Sequence, residues 1–280
     1  MARLPDFLII GAQKCGTTWL AAMLRQHPEV YMPDREIHFF DKAGNYEKGI
    51  DWYVRHFAGA EDRNRVGEKT PDYFWADGRG GEGHLSDVHR HIHRHLPHVK
   101  LIVTLKNPVD RAVSAVKHLI RTGRISPLHR MDDLLAGGKS ALLDGFGVFE
   151  VGRFFTLLTA YLNLFKRDQI LVLFFEEDIV QRPNEGLQKV CAFLDIDDAF
   201  RFSGLAQKVN RFDACKLHLI ARYYFPFLSP LTSVLGRLLP ESDYLPGEPV
   251  LQHLHGLYHE ENRKLFDLLD REPPESWLAT

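Results

Sequence analysis

Three short runs of the chain are almost continuously apolar: Phe7 to Ile10, Val99 to Leu105 and Ile170 to Phe175. Each is rich in β-branched or aromatic residues and is bounded by polar or turn-forming ones, the pattern of strands buried on both faces. Between them, apolar positions recur at helical spacing. Thr17 to Gln26 carries Trp19, Leu20, Met23 and Leu24 on one side, and Leu85, Val88, Ile92 and Leu96 form a second stripe. Phe154 to Phe165 and Glu185 to Leu194 are further helix candidates. Strands alternating with helices predict an α/β fold, a single domain with a central, mostly parallel sheet flanked by helices. No repeat or low-complexity linker divides residues 1–280. Beyond Asp195 the pattern changes. Pro226, Pro230, Pro240, Pro246 and Pro249 punctuate it before a polar helix around His253 to Leu269. This stretch, roughly 196–280, reads as a C-terminal extension that covers the site.

Composition narrows the classes. With 45% hydrophobic and 26% charged residues the chain has ample material for a core, which excludes disorder as the main theme. A formal net charge of -2 is not the footprint of a general nucleic-acid binder, so any anion site must be local. Cys15, Cys191 and Cys215 are sparse and far apart, which argues against a disulfide framework and for a reducing compartment. The first strand starts too near the N-terminus for a signal peptide. The apolar stretch Leu217 to Leu239 is broken by Arg222, Pro226, Pro230 and Arg237, which argues against a transmembrane helix. A cytoplasmic protein is the expectation.

The strongest local signal is Gly11-Ala12-Gln13-Lys14-Cys15-Gly16-Thr17-Thr18, set between a strand and a helix. Glycines let backbone amides turn toward an anion, and the new helix adds free N–H groups and its positive end. Thr17 and Thr18 supply hydroxyls. The spacing is close to that of a nucleotide triphosphatase loop, yet such a loop places Lys directly before Ser or Thr. Here Gly16 holds that place and Lys14 sits inside the loop.

Further segments follow in order: Arg35-Glu36-Ile37-His38-Phe39-Phe40-Asp41, Gly49-Ile50-Asp51-Trp52-Tyr53, Glu68-Lys69-Thr70-Pro71-Asp72-Tyr73-Phe74, and Asn107-Pro108-Val109-Asp110-Arg111-Ala112-Val113-Ser114. With the glycine loop, this series resembles the sulfotransferase family. The likeness points to the branch of heparan sulfate N- and 3-O-sulfotransferases and their bacterial relatives. It covers residues 6 to about 195 and returns weakly around His259 to Leu269. The resemblance implies transfer of a sulfuryl group from 3′-phosphoadenosine 5′-phosphosulfate (PAPS) to a hydroxyl or amine of a carbohydrate or other small molecule. It implies no metal and no nucleic-acid partner.

Residue by residue, the resemblance implies that Gln13, Lys14, Cys15, Gly16, Thr17 and Thr18 cradle the donor's 5′-phosphosulfate. Lys14 would meet the charge that grows on the bridging oxygen, the kind of electrostatic stabilisation that is commonly the largest catalytic term. Glu36 falls at the family's catalytic glutamate and is the expected general base. In an extended segment His38 would point to the same side, where it would orient the acceptor, replace Glu36 as base, or simply be a satisfied core histidine. Lys69 would hold the sulfonate or an acceptor oxygen. Ser114 resembles the serine that binds the 3′-phosphate, with Lys106 at a position where Arg is frequent in the 3-O branch. Lysine keeps the charge but loses the bidentate fork. No basic C-terminal donor loop of the family's type is visible, and Lys208, Asn210 and Arg211 are the nearest candidates.

Other features carry competing readings. Arg111 pairs with an acidic partner or binds phosphate. His89/His93 and His91/His95 have a spacing that can hold zinc, but the same stretch carries an apolar stripe and reads better as a helix face. Tyr223, Tyr224, Phe225 and Phe227 read first as core, then as a lid or acceptor surface. Two rival functions remain: a nucleotide kinase or NTPase, for which Glu176-Glu177-Asp178 would supply the Mg²⁺ ligand, and a non-catalytic nucleotide-binding protein.

Overall fold

A computed structural model describes residues 3–60, 62–78, 82–136, 141–143, 145–206, 215–225, 227, 232 and 244–278. Its strands are β1 (Phe7–Gly11), β2 (Val30–Tyr31), β3 (Arg65–Lys69), β4 (Lys100–Leu105) and β5 (Ile170–Phe174). Its helices are α1 (Thr17–Leu24), α2 (Ala43–Tyr46), α3 (Ile50–Val54), α4 (Val88–His95), α5 (Pro108–Arg121), α6 (Met131–Leu135), α7 (Phe154–Leu162), α8 (Pro183–Leu194), α9 (Lys216–Tyr224) and α10 (Glu248–Leu269). The strands form one parallel sheet in the order β2-β3-β1-β4-β5.

Side chains alternate across this sheet as the strand period requires. Leu8, Ile10, Leu101 and Val103 face a core built with Tyr53 of α3, Val88 and Ile92 of α4, and Phe154, Leu157 and Tyr161 of α7. Phe7, Ile9, Ile102 and Leu173 face the other way, onto Trp19, Leu20 and Leu24 of α1 and Leu187, Val190 and Leu194 of α8. A third cluster joins α5 and α6 to Leu254 and Tyr258 of α10. Helices therefore cover both faces, which is why the central strands read as unbroken apolar runs.

The β3 strand has no such run. Its sequence is Arg-Val-Gly-Glu-Lys, and Gly67 is paired directly beside Phe7. A Cβ at 67 would lie 2.3 Å from the Phe7 ring, so the position excludes the β-branched residues that would have announced a strand. From β1 the chain crosses to β2 and β3 on one side. After β4 it continues to β5 on the other. The crevice beyond the carboxyl ends of β1 and β4 lies where these paths diverge, the usual ligand position in such sheets. Among the described residues no helix is long and apolar enough to cross a membrane.

Several expectations change. The Tyr223–Phe227 aromatics are not core: Tyr224, Phe225 and Phe227 are 46%, 50% and 77% exposed, because this end of α9 buries only Leu219 and Ala221. Arg111 is fully buried, yet among the described residues it pairs with no carboxylate; its Nη2 donates to the carbonyls of Gly147, at 3.0 Å, and Val148. The histidines of α4 are engaged individually. His89 Nδ1 lies 2.9 Å from the Ala76 carbonyl and His95 Nε2 lies 2.9 Å from the Tyr46 hydroxyl.

Candidate active site

The loop after β1 is fastened from below. The Ala12 amide donates to the Thr104 carbonyl of β4 at 2.8 Å, and the Thr104 hydroxyl donates to the Gly11 carbonyl at 3.1 Å. Lys14 and Gly16 both have positive φ, +69° and +88°. The loop curls tightly before α1. The amides of Gly16, Thr17 and Thr18 at its start find no acceptor among the described residues. Gly16 is required on a second ground. A Cβ there would meet Phe175 at 2.8 Å and Ile179 at 2.9 Å, both in the helical turn after β5. Gly16→Ala is expected to destabilise the fold by about 1–3 kcal/mol, the range for overpacking a tight site, read as a lowered melting temperature.

Cations gather above this loop. Burial, then the charges of Arg121, Lys106 and Arg111, lower the Lys14 ammonium to about 8. Burial pushes the Cys15 thiol up to about 12, so it is an inert thiol in the loop wall. Lys106 follows β4 and lies 5.1 Å over the Phe175 ring. Neither Lys14, Lys106 nor Arg121 has a carboxylate partner among the described residues. A concentration of unpaired positive charge beside free helix amides is suited to an anion.

The face of α5 that borders this site was only partly legible in the sequence. Ser114 is half-buried, and His118 and Arg121 follow it at i+4 and i+7, on the same side of the helix. Arg121 Nη2 donates to His118 Nδ1 at 3.3 Å, which makes that nitrogen an acceptor. Burial and the cations Lys14, Arg121 and Arg124 lower His118 to about 4, so it is neutral. Nothing local marks these two residues; their spacing from Ser114 was the available signal.

The second half of the site is a carboxylate cluster. Glu36 accepts from Lys69 Nζ at 2.5 Å and lies 3.3 Å from His38 Nε2. It does not pair with Arg35, whose guanidinium turns to His56. His38 is not in an extended segment: its φ is +53°, and this turn, rather than strand alternation, brings it against Glu36. Its Nδ1 lies 2.8 Å from Asp41 and 3.9 Å from Asp72. Burial opposes ionisation of Glu36, but hydrogen bonds from His38 and Lys69 prevail and hold it at about 2. Burial likewise opposes charge on His38, while its bonds to Asp41 and Glu36 raise it to about 9. At neutral pH the cluster is therefore an ionised carboxylate between an imidazolium and an ammonium. A protonated imidazole has no lone pair with which to accept a proton, so Glu36 is the better proton acceptor.

The two halves are joined. Gln13 of the glycine loop donates through Nε2 to Asp72, and Asp72 faces His38. His118 feels both Lys14 and Glu36. Arg211, like Lys208 and Asn210, lies outside the described residues.

A magnesium site at the end of β5 has poor material. Glu176 accepts from the Asn107 amide and the Trp277 indole, Glu177 pairs with Arg271, and Asp178 accepts from the Phe174 amide and Lys189. All three acids are engaged in holding the fold.

Comparison with known proteins gives the family and the fold. The family model described as "Sulfotransferase domain" matches residues 4–211. The human heparan sulfate glucosamine 3-O-sulfotransferase 5 is 25% identical over 272 residues, 96% of this chain and 73% of that one. The human 3-O-sulfotransferase 6 is 40% identical over 112 residues, 40% of this chain and 30% of its own. A crystal structure of a sulfotransferase from Alicyclobacillus acidocaldarius has the same fold. It superposes with a TM-score of 0.68 at 23% identity and covers 98% of this chain and 99% of its own. A parallel sheet with a phosphate-binding type of loop at its switch point, and a family match over most of its length, make this chain a member of the sulfotransferase domain family and an enzyme of sulfuryl transfer.

Proposed function

We propose that the enzyme takes its sulfuryl group from PAPS and passes it to a hydroxyl or amine of a carbohydrate or other small acceptor. The observation that carries this reading is the junction of an unpaired cationic pocket with an ionised carboxylate, linked through Gln13 and Asp72. The pocket suits a donor with several negative charges. The carboxylate suits an acceptor that must lose a proton.

In this reading the acceptor oxygen or nitrogen attacks sulfur in line. The bond from sulfur to the bridging oxygen breaks, adenosine 3′,5′-bisphosphate leaves, and the acceptor proton passes to Glu36. Lys14 and the loop amides meet the negative charge that develops on the bridging oxygen and phosphate. Ser114 and Lys106 hold the 3′-phosphate. His118 and Arg121 add polar contacts that the sequence motifs did not name. Cations and helix amides neutralise the donor here, and the engaged acids after β5 favour this over a Mg²⁺-dependent kinase. Lys69 has a double task. At rest it sits on Glu36. When a sulfonate arrives to compete for its ammonium, Glu36 loses a partner and becomes more basic, which ties activation of the acceptor to the presence of the donor. A purely nucleotide-binding protein has no use for such a cluster.

Glycan relatives favour a sugar acceptor. Incubation with sulfur-labelled PAPS and parallel sets of oligosaccharides, amines and phenols tests the class. Label on a sugar supports the reading, and label on a phenol alone would redirect it.

Lys14 also predicts a pH dependence. Its free ammonium titrates near 8, and a bound anion raises that value. Affinity for adenosine 3′,5′-bisphosphate is therefore full below about pH 8 and falls as pH rises beyond it, with proton uptake on binding. Titration calorimetry at pH 8.5 in buffers of different ionisation heat reads the uptake. Lys14→Arg, whose charge does not titrate, should abolish it.

A further inference from the structure

His38 holds a left-handed backbone conformation that side chains with a Cβ rarely adopt. Such a conformation persists only when its surroundings over-determine it. Here two devices do so. Asn45 donates through Nδ2 to the carbonyls of both Ile37 and His38, each at 3.1 Å. The Tyr73 hydroxyl accepts from the amides of Phe39, at 2.9 Å, and Phe40, at 3.4 Å. The turn is thus gripped on its carbonyl side by one residue and on its amide side by another.

Tyr73 can do this only if its hydroxyl is aimed. A phenol has one proton to donate, and this one goes to Glu68 Oε1 at 3.1 Å, leaving the oxygen lone pairs for the amides. Glu68 is itself fully buried and fixed by Tyr53, at 2.6 Å, and by the Thr70 hydroxyl, at 3.1 Å. Burial pushes its carboxyl up to about 7 in spite of these donors. Held by Tyr53 and Thr70, this carboxyl in turn fixes the direction of the Tyr73 hydroxyl.

The geometry points to Glu68, Tyr73 and Asn45 as positioning residues, a buried clamp on the His38 turn that sets where the Glu36 carboxylate stands. None of the three contacts Glu36 directly. They act through the backbone of residues 37–40, which delivers His38 Nε2 to Glu36 and Nδ1 to Asp41. The proposal rests on the reading of Glu36 as the base, so its test includes a readout that does not depend on that reading.

The primary variant is Tyr73→Phe, which removes one oxygen and keeps the ring in the core. The kcat for sulfuryl transfer should fall about tenfold or more. The KM for the donor and the Kd for adenosine 3′,5′-bisphosphate should move less than twofold, which also reports that the variant is folded. Asn45→Ala, outside the buried core, is the second variant and should show the same split. Glu68→Gln, whose carbonyl still accepts from Tyr73, should be milder than Glu68→Leu. The independent readout is the titration of the His38 imidazole by NMR. The charged groups that face it are Glu36, Asp41 and Asp72, with Lys69 beyond Glu36. Loosening the turn should lower its midpoint by about one pH unit, because the carboxylates no longer hold the ring. An unchanged midpoint together with unchanged kcat overturns the clamp, whatever Glu36→Gln does. A lowered midpoint with an active Glu36→Gln enzyme keeps the clamp and removes the base. Equal losses in kcat and nucleotide affinity would make these residues general supports of the fold and overturn the proposal.

Discussion

Glu36→Gln should cost about 10²–10⁴-fold in kcat, the usual worth of a positioned proton acceptor, and leave the affinity for adenosine 3′,5′-bisphosphate almost intact. Gln keeps the shape and can still accept from Lys69 Nζ, and its amide NH2 then faces His38 Nε2, which accepts it once that nitrogen gives up its proton. What it loses is the negative charge that would receive the acceptor proton. His38 provides the control. It carries a proton to about pH 9 because Asp41 and Glu36 hold it, so in the wild type it cannot serve as base at neutral pH. His38→Ala should lower kcat by less than Glu36→Gln does, through loss of a partner that orients the carboxylate. Steady-state rates for both variants, with the nucleotide Kd measured alongside, check this. A mild Glu36→Gln and a severe His38→Ala would move the base to His38.

Lys14→Ala should lower kcat by about 10²–10³-fold, the scale for removing a donor aimed at developing charge. Affinity for the donor should weaken less. Lys106 and Arg121 remain to attract the ground-state anion, while Lys14 is the cation inside the loop itself. The distinction is between a uniform binding contact, which would raise KM alone, and one that strengthens in the transition state, which lowers kcat. Single-turnover rates at saturating donor separate the two. Near-normal kcat in Lys14→Ala would remove Lys14 from the chemistry and leave it as one cation among several.

The parts legible in the sequence are those whose physics is local. The β1, β4 and β5 strands are buried on both faces, so each is an apolar run. The β3 strand escaped because Gly67 lies against Phe7 and its end is polar, with Glu68 and Lys69 in place of apolar residues. The two-residue β2 strand is too short to signal itself. The glycine loop, Glu36, His38 and Lys69 could be picked out as motif positions, but their mutual geometry could not. The left-handed turn at His38 depends on Asn45 and Tyr73, whose contacts cross 7 and 34 positions of the chain. His118 and Arg121 are ordinary residues of an amphipathic helix until the fold sets Lys14 beside them. Arg111 and the aromatics near 225 misled for the same reason: composition does not say which neighbour the fold supplies.

On the proposed function, the site is built for a nucleotide carrying a 3′-phosphate as well as a 5′-phosphate. Free amides at the start of α1 explain the second but give no reason for the first. In the proposed reading Ser114 and Lys106, after the neighbouring strand, give that reason. A hydrogen bond to a charged group is worth roughly 1.5–3 kcal/mol, which corresponds to one to two decades in Kd. Calorimetric titration with adenosine 3′,5′-bisphosphate and with AMP, both without added metal, measures the difference directly. The account predicts binding of the bisphosphate tighter by that margin or more, and a preference that shrinks in Ser114→Ala and Lys106→Ala. Equal affinity for the two nucleotides, or binding that appears only with Mg²⁺, would contradict it.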